Sequence, residues 1–111
     1  FPYWTDAGDL LTKQKGVTHA CEVETSLALY LFPEKVRTDR IADPAAGLSV
    51  DRLRAFPEGV AAGPPPEGWS GAAGFPSAAT AGKGERIFAR LLEPLVAYVA
   101  ARAGARARPG C

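Results

Sequence analysis

The 111-residue sequence has no methionine, only two cysteines and a single histidine. With no methionine even as initiator, Phe1 reads as an internal position of a longer polypeptide, so a fragment or processed subunit is expected. An N-terminal nucleophile is excluded at that position, because phenylalanine carries no group that can attack a carbonyl. Two cysteines, Cys21 and Cys111, are too few for a disulfide framework and point to a reducing cytoplasm. No apolar run approaches the ~20 residues needed to cross a bilayer, and no signal-peptide pattern is present. The formal charge of +1 shows no excess of either sign, so neither nucleic acid nor a membrane surface is implied as a partner.

What is present is ordinary for one small globular unit, with 47% hydrophobic and 23% charged residues. Phe1 to Trp4 reads as the end of a strand. From His19 to Phe32, apolar residues Ala20, Val23, Leu27, Tyr30 and Leu31 recur at three- and four-residue steps, which predicts an amphipathic helix. Thr18 is a candidate N-cap, Glu22 and Glu24 favour the positive end of the helix dipole, and Pro33 ends the element. A second helix is predicted from Ser77 to Ala103 on the stripe Ile87, Phe88, Leu91, Leu92, Leu95, Val96 and Val99. Pro94 lies inside that stripe and predicts a kink or a one-turn break.

Between the helices, residues 34 to 76 are punctuated by proline and glycine, the triple Pro64-Pro65-Pro66 included. Such a stretch suits a segment draped over another surface or packed around an active site, with a short helix possible at Ser49 to Phe56. Residues 105–111 read as a disordered basic tail. Two helices with little strand cannot bury their apolar faces on each other alone. They suggest the outer layer of a larger α/β fold.

The segment His19-Ala20-Cys21-Glu22-Val23-Glu24-Thr25-Ser26-Leu27, continued by Pro33-Glu34-Lys35-Val36-Arg37-Thr38-Asp39, resembles the creatininase (creatinine amidohydrolase) family. That family carries a His-Ala-Gly-Glu-x-Glu-Thr-Ser-Leu helix and a following Pro-Glu-x-Val-Arg-x-Asp stretch. The segment Gly71 to Glu85 is similar to its Gly-x-Pro-x-x-Ala-Thr-x-x-x-Gly-Glu entry into the last helix. The resemblance covers nearly the whole chain but only the second half of a family member. It implies an α/β fold, a three-layer α/β/α creatininase-like sandwich, to which residues 1–104 contribute a C-terminal half with two main helices. It also implies a homo-oligomer and metal-dependent hydrolysis of a non-peptide C–N bond, in a cyclic amide or a formamide.

The resemblance assigns His19 as the substrate-side residue that moves a proton. An imidazole beside a helix N-terminus is favoured in its neutral form, which can accept a proton and later return it. Trp4 resembles an apolar wall against the substrate, and Glu22 and Glu24 are candidates to orient His19 or to support the metal ligands. Each has a plainer alternative: a histidine satisfying a backbone group, a core tryptophan and dipole-favoured carboxylates. The family's divalent metals, zinc or manganese, are held by residues of its first half, and this chain offers no complete ligand set. The partners implied are therefore the segment carrying the N-terminal half and a small-molecule amide. Two departures stand out: Cys21 replaces the family's glycine, and Thr18 replaces an acidic residue, which weakens creatinine itself as substrate. The alternative function is a non-catalytic interaction module docking through its apolar helix faces.

Overall fold

The computed structural model describes residues 3–13, 16–44, 67 and 69–106, with backbone alone at 3–6. Tyr3–Leu10 forms a 3-10 helix rather than the end of a strand. The reason is local: Asp6, Gly8 and Asp9 are poor strand formers, and the three-residue repeat brings buried Ala7 and partly buried Leu10 to one side.

The first α-helix, α1, spans Glu22–Leu31. It starts later than the apolar spacing predicts, because Ala20 sits in the left-handed region at φ 48° and breaks the helical path. Cys21, extended at φ −102° and ψ −174°, therefore holds the N-cap position in place of Thr18. The Glu24 carboxylate turns back to accept the Cys21 N–H at 3.3 Å, half of a capping box. After Phe32 the chain makes two short 3-10 turns, Pro33–Lys35 and Thr38–Arg40.

A third short turn, Pro76–Ala78, leads into the second α-helix, α2, which spans Ala81–Arg106. Thr80 caps it, its hydroxyl accepting the Lys83 N–H at 3.1 Å. Ser77, the expected cap, is instead committed to Asp43, which accepts its N–H at 2.9 Å and its hydroxyl at 2.5 Å. The helix is continuous through Pro94 and includes Ala105 and Arg106. Residues 107–111 and the candidate helix at 49–56 lie outside the described residues. Among the described residues the regular elements are all helical.

The core forms where α1 and α2 cross over the N-terminal 3-10 helix. Ala7, Cys21, Val23 and Ile87 are buried there, with Leu10, Leu11, Val17, Leu27 and Leu91 packed around them. Gly84 permits the crossing. A Cβ at that position would overlap the Ser26 carbonyl oxygen and lie 2.6 Å from its carbon and 2.8 Å from Tyr30 Cβ. The Ser26 hydroxyl in turn accepts the Thr80 N–H at 3.2 Å, tying α1 to the residue that caps α2.

Candidate active site at the N-terminus of α1

His19 lies on the turn that delivers the chain into α1, with an exposed side chain. Its backbone is held from across the fold: the His19 carbonyl accepts the N–H of buried Ala73 at 2.8 Å. The loop carrying Ala73 is itself fixed. Trp69 Nε1 donates to the Ala72 carbonyl at 2.8 Å, and the Ser70 hydroxyl donates to the Ala42 carbonyl at 3.3 Å. Gly71, at φ 90°, supplies the left-handed turn between them. An accessible imidazole is thus mounted on a backbone that is not free to drift.

Glu22, the first residue of α1, is fully buried. Such a carboxylate must be matched by donors or neutralised. Here the match is complete. Thr12 donates its N–H at 2.9 Å and its hydroxyl at 3.0 Å to Oε1, and Lys13 donates its N–H to Oε2 at 3.3 Å. Lys83 Nζ approaches Oε1 at 2.5 Å. The ammonium also donates to the Ala78 carbonyl at 2.7 Å and the Thr12 hydroxyl at 3.0 Å. Burial opposes ionisation of Glu22, but Lys83, Thr12 and Lys13 outweigh it and hold the carboxyl below its ordinary value.

Lys13 extends this network outward. Its Nζ donates to the Ser77 hydroxyl at 3.1 Å and lies 3.5 Å from Asp43 Oδ2. The Asp43 carboxyl is likewise lowered: burial raises it, and the Ser77 bonds and Lys13 more than compensate. At the other end of the core, Asp9 pairs with Arg90 on α2, and that bond lowers its carboxyl.

The expected site residues therefore fall into different settings. His19 is exposed, whereas Glu22 and Glu24 are committed to the framework of the α1 N-terminus. The Trp4 backbone belongs to the N-terminal 3-10 helix, and its side chain lies outside the described residues. Sequence reasoning missed Lys83, Thr12, Asp43, Ser77 in its actual role, and Trp69. Lys83 stands within the Gly71 to Glu85 motif, but nothing in its spacing reveals a partner 61 residues earlier.

Among the described residues, no three His, Cys, Asp or Glu side chains lie close enough to hold a metal ion. The buried carboxylate of Glu22 is unsuited to a metal on chemical grounds as well. The Glu22 oxygens are filled by N–H and O–H donors, and the adjacent ammonium repels a dication. These residues do not fit a divalent metal.

Comparison with known proteins places the sequence in a family. The family described as creatininase, creatinine amidohydrolase, matches residues 2–99. A mycofactocin precursor peptide peptidase from Mycobacterium ulcerans (strain Agy99) is 36% identical over 85 residues. That alignment covers 77% of this chain and 33% of the relative, so the chain spans about a third of that relative's length. No solved structure matches. The match across residues 2–99, with the motif that positions His19 and Glu22 inside it, shows that the chain belongs to the creatininase family.

Proposed function

We propose that this chain is the C-terminal portion of a creatininase-family hydrolase that cleaves an amide C–N bond, with His19 moving the proton on the substrate side. The observation that carries the reading is the family match over residues 2–99 together with the setting of His19. Its ring is accessible while its carbonyl is anchored to Ala73 at 2.8 Å. A neutral imidazole in that position takes a proton from attacking water as the carbon–oxygen bond forms. It returns the proton to nitrogen as the carbon–nitrogen bond breaks, leaving a carboxylate and an amine.

Divalent metal, zinc or manganese, belongs in this reading to residues outside the chain, which also complete the α/β/α sandwich on which α1 and α2 pack. The whole enzyme is proposed to be a homo-oligomer in the cytoplasm. Among the described residues no helix is long and apolar enough to cross a membrane. Trp4 is retained as the proposed apolar wall of the pocket. For the substrate, the family resemblance favours a cyclic amide or formamide. The relative named a precursor peptide peptidase supports a second reading, in which the bond lies in a peptide.

The test uses the full-length protein carrying this chain, supplied with zinc or manganese. Creatinine, an N-formyl amine and a linear peptide library are offered, and products are identified by mass spectrometry. Hydrolysis of at least one class is expected, with His19→Ala lowering kcat about 100-fold. No turnover of any class, or full activity without the imidazole, overturns the reading in favour of a non-catalytic docking module.

A further inference from the structure

We propose that Lys83 is a positioning residue, latching the first turn of α1 through Glu22 and thereby holding His19 in its working orientation. The latch stands on geometry; what His19 does with that orientation rests on the hydrolase reading above.

The Lys83 ammonium has three protons, and its three acceptors come from separate parts of the chain. Glu22 Oε1 lies on α1, the Thr12 hydroxyl follows the N-terminal 3-10 helix, and the Ala78 carbonyl ends the turn before α2. One side chain therefore fixes three segments at once. The one on α1 begins three residues after His19. Between them stand Ala20, held left-handed at φ 48°, and Cys21, which is fully buried. That short span has little slack, so a displacement of Glu22 passes to His19.

The backbone that carries the imidazole is accordingly clamped from two sides. Ala73 N–H holds the His19 carbonyl, and the Glu22–Lys83 pair holds the helix start. Gly84, next to Lys83, lets α2 approach Ser26 closely enough to bring the ammonium over Glu22. A proton-transfer group needs such control, because small displacements from the reacting atoms cost large factors in rate.

The test compares Lys83→Met and Thr12→Val with wild type in the full-length protein, at a temperature where circular dichroism shows each variant folded. Kinetics are measured on the fastest-cleaved member of the panel above. Labelling of Cys21 by an aromatic disulfide reagent is followed by peptide mapping. The expected kcat loss is about 10- to 100-fold for Lys83→Met and about tenfold for Thr12→Val, with KM held within about twofold. Cys21 labelling is expected to quicken by at least about tenfold as the first turn of α1 opens. In a His19→Ala background, Lys83→Met is expected to cost nothing further.

Unchanged kcat and unchanged labelling in Thr12→Val, which keeps both charges in place, overturns the latch. An equal Lys83→Met loss with and without His19 overturns the link to the imidazole. If wild type hydrolyses nothing, the hydrolase reading fails instead, and Cys21 labelling alone decides whether the latch exists.

Discussion

Lys83 Nζ lies 2.5 Å from Glu22 Oε1 across 61 residues of sequence, both groups almost wholly withdrawn from solvent. Breaking one side of a buried pair leaves the other charge uncompensated. Lys83→Met is therefore expected to destabilise the protein by about 3 kcal/mol. Glu22→Gln, which keeps the shape but not the charge, is expected to cost about 1–2 kcal/mol. Denaturant midpoints at neutral pH check both.

The same carboxyl sets an acid limit. The Glu22 carboxyl is lowered in the folded state from an ordinary value of 4.5, so the unfolded chain binds the proton more readily. Its stabilisation is complete above that value and is lost as pH falls through the folded value. Asp43, lowered from 3.8, adds a loss in the same direction at more acid pH. Unfolding midpoints at pH 7 and 5 are expected to agree closely and the midpoint at pH 3 to be lower, and Glu22→Gln is expected to shrink that difference.

Two glycines of α2 are expected to respond with opposite signs. Gly84→Ala forces a methyl group into the Ser26 backbone and is expected to cost about 1–3 kcal/mol. Gly82 has nothing within 4 Å of its would-be Cβ, so Gly82→Ala is expected to stabilise the helix by about 0.5–1 kcal/mol. Thermal melts of the two variants separate a packing effect from a helix-propensity effect.

Ala20 carries the strain of the turn beside His19. Ala20→Gly is expected to be neutral or to stabilise slightly, since relief of left-handed strain offsets the added freedom of the unfolded chain. Ala20→Val, with a branched Cβ at φ 48°, is expected to lose about 1–2 kcal/mol. Equilibrium unfolding of both variants checks the pair.

Both helices were legible because their apolar spacing is local, but their starts were not. Position 18 looks like a cap, yet the path is broken by Ala20, whose left-handed backbone no side-chain pattern announces. Ser77 looks like a cap too, and its hydroxyl goes to Asp43, 34 residues away. Glu22 is the sharper case. Its position at a helix N-terminus suggests a partly exposed, dipole-favoured carboxylate, and it is among the most buried side chains of the described structure. Only tertiary pairing with Lys83 makes that burial tolerable. The creatininase motif around His19 was legible as a family signature; the bond from Ala73 that fixes its backbone joins residues 54 positions apart and left no mark in the spacing.

At about 1.5 Å per residue, α2, with 26 residues, extends some 39 Å, against roughly 15 Å for the 10 residues of α1. The excess overhangs as a cantilever whose Leu92, Leu95, Val96 and Val99 are 42–56% exposed. Its consequence is practical: produced by itself, this polypeptide should bind apolar dyes and self-associate, and Val96→Lys with Val99→Glu should suppress both without disturbing Ile87 or Glu22.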